Sequence, residues 1–261
     1  MHFSENSGIR YLKFDIFPDS VVHGVISRRG GVSPTPWESL NVGGTVGDDS
    51  ARVHENRQRT FATFGRELPS IFHVWQVHSA DVVAADAPID AGANLTRADI
   101  ILTNRPEVTL YMRFADCVPL LFHDPVRQVV GIAHAGWLGT IRGAGRAAVQ
   151  AMQSRYGSHP GDILAAIGPS IGPDHYEVGP DVIGHFREAF GDRVDGLIHR
   201  REGRTYLDLW AANRFQLQDA GVVHIESPGV CTACHPEDWF SHRLEKGKTG
   251  RFGALMALGS Q

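Results

Sequence analysis

The feature that most constrains the fold is a series of short apolar runs in the middle of the chain, at 100–103, 108–114, 118–122 and 129–133. Runs of this length, rich in Val, Ile, Leu and Phe and bounded by turn residues, are typical of buried strands. They follow one another without a helix between them. Strands that come in runs favour an α+β fold with mixed sheets over a regularly alternating α/β fold.

Further strands are predicted at 21–27, 71–76, 81–84, 163–167, 222–225 and 254–258, and helices at 49–64, 140–156, 180–190 and 208–220. The clearest helix is 140–156, where apolar residues recur at helical spacing. No low-complexity segment or Pro/Ser-rich linker divides the chain. We therefore expect a single compact α+β domain over residues 1–261, with mixed β-sheets packed against helices.

Composition and charge exclude several functional classes. The net charge is −4 and no basic stripe is present, which argues against a nucleic-acid partner. The sequence has no run of 18 apolar residues, the length that would span a membrane. The first residues also lack a signal-peptide pattern. Three cysteines are too few for a disulfide framework and favour a reducing compartment. We expect a cytoplasmic protein that acts on small molecules.

Polar side chains with reactive potential lie in or beside three of the apolar runs. In the segment 73–78 (HVWQVH), an extended backbone would point Gln76 and His78 the same way. Asp116 and Cys117 separate two strand-like runs, and His134 ends a third just before the long helix.

Two imidazoles and one thiolate, from His78, Cys117 and His134, are the donor types that zinc prefers. Three protein ligands leave a fourth position for water, whose pKa zinc lowers to roughly 7. Copper would bind the same set at least as tightly. A metal-free pair, in which His78 or His134 activates the Cys117 thiolate for acyl transfer, is equally compatible with the spacing.

A fourth segment, 231–235 (CTACH), matches the haem-attachment pattern Cys-x-x-Cys-His. Haem attachment is disfavoured because no export signal is evident. A structural zinc on Cys231 and Cys234 would need two further ligands, and His235 and His242 are poorly spaced for that role. We expect loop cysteines without a metal.

Taken in order, these segments resemble the bacterial laccase-domain family, first described as multicopper polyphenol oxidoreductases and later as purine nucleoside phosphorylases. The resemblance covers nearly the whole chain. Its segments are 23–33 (HGVISRRGGVS), 39–43 (SLNVG), 56–57 (NR), 76–78 (QVH), 115–119 (ADCVP), 133–137 (AHAGW), 167–173 (IGPSIGP), 176–179 (YEVG), 240–243 (FSHR) and 250–251 (GR).

The resemblance implies a zinc ion on His78, Cys117 and His134, and phosphorolysis of adenosine, inosine and guanosine to the base and ribose 1-phosphate. Inorganic phosphate is then the co-substrate, and the chain is a monomer or homodimer. The family is also associated with phosphorolysis of methylthioadenosine and with deamination of adenosine. Zinc deaminases pair the metal with a non-ligand carboxylate, for which Asp116 and Glu177 are candidates.

Within the matching segments, the basic residues best suited to phosphate are Arg28, Arg57 and Arg243. Each could equally be an ion-pair partner. Asn41 and Gln76 are candidates for contacts to the base or ribose. Two positions depart from the family pattern, in which an arginine often stands at Leu138 and the segment 241–244 (SHRL) often reads Ser-Tyr-Arg-Arg. Arg142, one helical turn after Leu138, is a candidate to compensate for the missing arginine.

Three other functions stay open at this point. A copper-dependent polyphenol oxidase would normally use paired His-x-His motifs, which the sequence lacks. A metal-free Cys–His hydrolase differs from a zinc enzyme by surviving chelation. A non-catalytic binding protein is disfavoured because polar groups gather at strand ends.

Overall fold

The computed structural model describes residues 1–90, 92–227 and 229–259. Its strands are β1 (His2–Asn6), β2 (Ile9–Lys13), β3 (Val21–Ile26), β4 (Ile71–Phe72), β5 (Val82–Ala84), β6 (Ile100–Thr103), β7 (Thr109–Phe114), β8 (Val118–Asp124), β9 (Val129–Ala135), β10 (Leu164–Ile167), β11 (Ile198–Arg201), β12 (Arg204–Leu207), β13 (His224–Glu226) and β14 (Phe252–Leu258). Its α-helices are α1 (Ser50–Thr63), α2 (Trp137–Ile141), α3 (Ala144–Tyr156), α4 (Pro180–Phe190) and α5 (Leu209–Asp219), with 3-10 helices at Leu68–Ser70, Pro160–Asp162 and Gly191–Leu197.

Most strands belong to two mixed sheets. The first has the order β1-β2-β3-β14-β7-β4 and is antiparallel except between β4 and β7. The second has the order β13-β10-β8-β9-β6-β5 and is parallel only at its two edges, β10–β13 and β5–β6. Strands β11 and β12 form a separate hairpin. The predicted α+β fold with mixed sheets is confirmed.

Buried side chains arrange these elements in layers. The two sheets pack face to face, with Phe114 of β7 and Ile132 of β9 in the shared core. The other face of the second sheet packs against helices, where Leu120 of β8 joins a cluster with Val149 of α3. Helix α1 covers the other face of the first sheet through Phe61. The order of layers is therefore helix, sheet, sheet, helices. Among the described residues, no helix has the length and apolar character needed to cross a bilayer.

Two sequence-based assignments need correction. The helix predicted over 140–156 is interrupted, because Gly143 has a φ of 80° and separates α2 from α3. The strand predicted over 71–76 ends at Phe72. Further along the chain, the side chain of Gln76 makes the hydrogen bonds to the backbone of β7. Gln76 donates from Nε2 to the carbonyl of Arg113 (2.8 Å), and the amide of Arg113 donates to its Oε1 (3.1 Å).

Two hairpins were not predicted, β1–β2 and β11–β12. Strand β1 is largely exposed, β11 is half exposed, and none of the four strands has a long apolar run. Each hairpin turns on a pair of residues with positive φ, Ser7-Gly8 and Glu202-Gly203. Such pairs are typical of type I′ turns, whose twist suits adjacent antiparallel strands.

His23 in β3 is a histidine that burial holds in the neutral form. Its Nδ1 lies 3.1 Å from the carbonyl of Val21, to which it donates, and the amide of Phe14 donates to Nε2 over 3.0 Å. Burial lowers the pKa of His23 to about 4. Protonation of Nε2 would break the bond from Phe14.

We expect the free energy of unfolding to fall as the pH drops from 7 to 5. The unfolded chain binds this proton near pH 6.5 and the folded chain only near pH 4, so the stability is complete above pH 6.5 and is lost between the two values. The linkage relation gives a loss of about 2 kcal/mol between pH 7 and 5. Urea unfolding of the wild type and His23→Gln measures it: the variant should lose about 2 kcal/mol less over that range. Parallel pH profiles would contradict this role.

Candidate metal centre and adjoining cleft

The three candidate metal ligands meet at one edge of the second sheet. Cys117 directly precedes β8 and His134 lies near the end of β9. The antiparallel register sets Val118 opposite Ala135, which brings the start of β8 beside the end of β9. His78 reaches the same point from the loop between β4 and β5.

The donor atoms of His78, Cys117 and His134 lie within 4.8 Å of one another. The Sγ atom of Cys117 is 4.0 Å from Nε2 of His78, and the two imidazole centroids are 5.0 Å apart. Donor atoms around a tetrahedral zinc are separated by about 3.3–3.8 Å. Small side-chain adjustments would therefore close this set around one ion.

Two residues of the site adopt backbone conformations that are uncommon outside glycine. His78 has a φ of 60° and Asp116 a φ of 79°. Such conformations persist where surrounding contacts impose them, and they cluster at functional sites. For His78 one such contact is Arg142, whose Nη1 donates to the His78 carbonyl over 2.6 Å. The extended backbone assumed for Gln76 and His78 is therefore wrong, and the two side chains serve different places.

Asp99 is one of the site residues that sequence reasoning missed. This fully buried carboxylate has Oδ1 2.8 Å from Nδ1 of His134. Its Oδ2 accepts from the amides of Val77 (3.0 Å) and Ser79 (2.7 Å). Burial would raise the pKa of Asp99, but these hydrogen bonds and the charge of His134 lower it to about 2. Asp99 thus joins the loop of His78 to the ring of His134 and leaves Nε2 of that ring for a metal.

Cys117 and His134 form a coupled pair. Burial raises the pKa of the Cys117 thiol, but the charge of His134 and hydrogen bonds from both histidines outweigh it and lower the pKa. Burial likewise disfavours a charged His134, but Cys117 and Asp99 raise its pKa. A thiolate is the form of cysteine that binds metals and attacks electrophiles, so both chemistries considered for Cys117 are supported.

A cleft of about 250 Å³ opens beside the ligands. It is lined by His78, Asp116, Cys117, Gly136, Trp137, Leu138, Ile171, Tyr176 and Leu209. Both carboxylate oxygens of Asp116 accept hydrogen bonds of 2.6 Å, Oδ1 from the Thr232 hydroxyl and Oδ2 from the amide of Arg243. Most other lining side chains are apolar or aromatic, as is usual for sites that take flat organic ligands.

Gly136 is needed for helix α2 to begin this close to the ligands. A Cβ at this position would lie 2.8 Å from Sγ of Cys117 and 3.1 Å from Cδ2 of His78. Such distances would push the two ligands apart. The same segment carries Leu138, at the position where the family pattern often has arginine, into the lining of the cleft.

A cluster of three arginines extends from the same site. The cluster consists of Arg57, Arg113 and Arg251. Burial and, to a smaller extent, the nearby charges of Arg57 and Arg251 lower the pKa of Arg113 to about 10. Burial lowers the pKa of Arg251, while the negative charges of Cys117 and Asp116 act to raise it. Within the described ranges, none of the three guanidinium groups lies within 4.0 Å of a carboxylate. Hydrogen bonds to carbonyls and to Gln76 hold them instead.

The remaining predicted substrate residues divide between this site and other places. The Oδ1 atom of Asn41 accepts from the amides of Gly43 (2.9 Å) and Arg251 (2.8 Å), so Asn41 positions the arginine cluster. Arg243 donates from Nη1 to the carbonyl of Glu177 (2.7 Å) and lies over the ring of Tyr176.

Two of the predicted substrate residues, Glu177 and Arg28, make their contacts away from the cleft. The carboxylate of Glu177 is exposed and 3.4 Å from Arg204. Arg28 pairs with Glu245 at 3.1 Å and packs over the ring of Phe240. Arg28 also lines a separate surface cavity together with Arg29.

Residues 22–259 match the family model described as multi-copper polyphenol oxidoreductase laccase. The chain belongs to this family. The resemblance inferred from the sequence segments is confirmed.

Similar proteins from several bacteria carry a different description. The chain is 40% identical to a purine nucleoside phosphorylase of Deinococcus radiodurans, over 92% of this chain and 90% of that protein. It is 38% identical to the purine nucleoside phosphorylase YlmD of Bacillus subtilis, over 91% and 88% of the two chains. The crystal structure of YlmD from Geobacillus stearothermophilus matches with a TM-score of 0.91 at 35% identity, over 99% of each chain.

We expect Asp99→Asn to weaken zinc binding about 10–100-fold without removing a ligand, because partners of this kind orient metal-bound histidines. An amide cannot accept from the ring of His134 and from both loop amides at once. Competition against a chromophoric chelator measures the affinity. Asp86→Asn is the matched control, since Asp86 is exposed and contacts Arg155. Equal affinities for the two variants would contradict the role of Asp99.

Proposed function

We propose that this chain is a zinc-dependent purine nucleoside phosphorylase. It would convert adenosine, inosine or guanosine, with inorganic phosphate, to the free base and ribose 1-phosphate. The observation that carries the proposal is that a largely apolar cleft and a cluster of arginines without carboxylate partners both adjoin Asp116 and Cys117. The names of relatives 37–40% identical to the chain agree with this reaction.

The arginine cluster is the proposed phosphate site. The three arginines are partly buried, where guanidinium groups without a carboxylate partner are costly, and a bound anion would compensate them. Arg57 and Arg251 can give charge-assisted, bidentate hydrogen bonds to phosphate oxygens. Of the three arginines first considered, Arg57 belongs to this cluster, Arg243 adjoins the cleft, and Arg28 is already neutralised by Glu245.

The cleft is the proposed nucleoside site. Trp137 and Tyr176 offer aromatic faces for a purine, and Asp116 lines the cleft while its charge acts on Arg251. In phosphorolysis a phosphate oxygen bonds to C1′ of the ribose while the bond from C1′ to the purine nitrogen breaks, and its electron pair leaves with the base. Positive charge develops on the ribose in this step. The carboxylate of Asp116 is placed to stabilise that charge.

His78, Cys117 and His134 would hold the zinc ion, which when bound supplies Lewis-acid polarisation of a substrate or water oxygen. The donor set is the observation that supports a metal: two imidazoles and a thiolate whose Nε2 and Sγ atoms converge. Electron-transfer copper sites usually add a weak axial methionine. No methionine is among the described lining residues, which favours zinc over a redox-active copper.

Deamination of adenosine is a second candidate activity of the same site. It needs water at C6 of the purine and a carboxylate that moves its proton. Asp116 lines the cleft beside Cys117, whereas the carboxylate of Glu177 faces Arg204, so Asp116 is the candidate for that role.

Incubation of zinc-loaded protein with adenosine, with and without phosphate, tests the reaction by chromatography of the products. We expect adenine and ribose 1-phosphate only where phosphate is present. Inosine in both tubes would establish deamination instead. Unchanged adenosine in both tubes would contradict a purine substrate.

Cys117→Ser is the control for that assay. It should lose the zinc ion that His78, Cys117 and His134 would hold and at least about 100-fold in turnover, while its circular dichroism stays that of the wild type. Activity that survives chelation but is lost on alkylation would indicate a metal-free Cys–His hydrolase.

We expect Arg57→Gln to raise the KM for phosphate about tenfold or more and to change the KM for adenosine little, because a charged hydrogen bond contributes about 1.5–3 kcal/mol. Initial rates over a grid of both substrate concentrations separate the two constants. Arg59→Gln on the same helix is the matched control, since Arg59 is exposed and pairs with Glu55. A rise confined to the KM for adenosine would move the phosphate away from Arg57.

A further inference from the structure

We infer that Asp174, His175, Cys231 and Cys234 form a second metal site, closed and structural, that takes zinc. Each side chain presents one donor atom, and the four atoms lie within 4.8 Å of one another. None of the four residues lines the cleft at Cys117. The inference therefore does not depend on the proposed phosphorolysis.

This inference replaces the expectation of loop cysteines without a metal. Sequence spacing considered His235 and His242 as the missing ligands, and neither belongs to the cluster. The two further donors come from a turn more than fifty residues earlier in the chain, Asp174 and His175. That separation hides the set from any local motif.

The distances within the cluster match those around one tetrahedral ion. Nδ1 of His175 lies 3.7 Å from Sγ of Cys231 and 3.5 Å from Sγ of Cys234. A sulfur at 2.3 Å and a nitrogen at 2.0–2.1 Å from tetrahedral zinc are about 3.6 Å apart. Oδ2 of Asp174 lies 3.1 Å from the same Nδ1 and 3.0 Å from Sγ of Cys234. The carboxylate needs only a shift of a few tenths of an ångström to take its place.

The donor types select the metal. Two thiolates and an imidazole suit zinc and are poor ligands for magnesium or calcium, which prefer oxygen donors. Four protein ligands leave no open position, which is the pattern of structural zinc sites. The side chains of His175 and Asp174 are 42% and 37% exposed, so an ion can enter from solvent.

The backbone around the cluster is arranged to bring the two segments together. Ser170 and Cys231 form a parallel bridge, and the amide of Gly172 donates to Sγ of Cys231 over 3.2 Å. Amide donors to sulfur stabilise the thiolate that a metal requires. A Cβ on Gly172 would lie 2.6 Å from Oδ1 of Asp174 and 3.0 Å from Cβ of Cys231, so glycine permits the close approach.

The position of the cluster indicates a structural role for the metal. Tyr176, next to His175, lines the cleft, and Thr232, next to Cys231, holds Asp116 through its hydroxyl. A zinc ion here would join the two loops that carry these residues. It would fix the wall of the cleft without touching the substrate.

Metal content and cobalt spectra test the site. After zinc loading and gel filtration, the wild type should contain two zinc ions per chain and Cys117→Ser one. The combination of Cys117→Ser with Cys234→Ser and Asp174→Asn should contain none. In the Cys117→Ser background, cobalt should give thiolate charge-transfer absorption about twice that expected for one thiolate, because two sulfurs bind. That background reports on the second site even if the first site has no enzymatic role.

His235→Ala is the control, because His235 lies in the same loop and contacts Glu237 instead of the cluster. It should keep both zinc ions. Chelation should lower the Tm of Cys117→Ser but not that of the combined variant, whose circular dichroism shows whether it has folded. One zinc ion in the wild type with none in Cys117→Ser would overturn the inference. A disulfide between Cys231 and Cys234 that persists during zinc loading would overturn it as well.

Discussion

The contact between the two sheets is the interaction on which the rest of the molecule depends. Phe114 ends β7 in the first sheet and Val118 begins β8 in the second, so the chain crosses between sheets within residues 115–117. Both flanking side chains are fully buried, which fixes the two ends of the crossing. Asp116 is consequently held in a left-handed conformation, and Cys117 faces the end of β9. Packing of apolar side chains therefore sets the geometry of the reactive groups.

That His78, Cys117 and His134 come together could be predicted because Cys117 and His134 lie at the ends of strands that are evident in the sequence. Cys117 and His134 come together through the pairing of neighbouring strands, β8 and β9, which is among the most local contacts a sheet can make. The fold class was equally accessible, since it follows from the runs of apolar residues and tolerates errors at their ends. The broken helix at Gly143 and the two missed hairpins changed neither conclusion.

The residues that support the ligands could not be found in the same way. Asp99 precedes a short apolar strand and reads as an ordinary turn residue, yet it is buried against His134, 35 residues away. Arg113 carried a stronger signal, a charged side chain inside the apolar run of β7. Buried charges of this kind are rare without a partner or a function. The sequence analysis did not use this signal, and the arginine cluster emerged only from the structure.

Asp116 both holds neighbouring segments of the site together and places a negative charge at the cleft. This carboxylate is 8% exposed and has lost most of its hydration. Hydrogen bonds from the Thr232 hydroxyl and from the amide of Arg243 to its two oxygens replace the lost water contacts. These bonds draw two segments from the C-terminal part of the chain against the crossing between the sheets. The negative charge that they stabilise also faces the cleft and acts on Arg251. Because the same charge organises the wall and faces the cleft, a neutral residue at this position would alter both the shape and the electrostatics of the site.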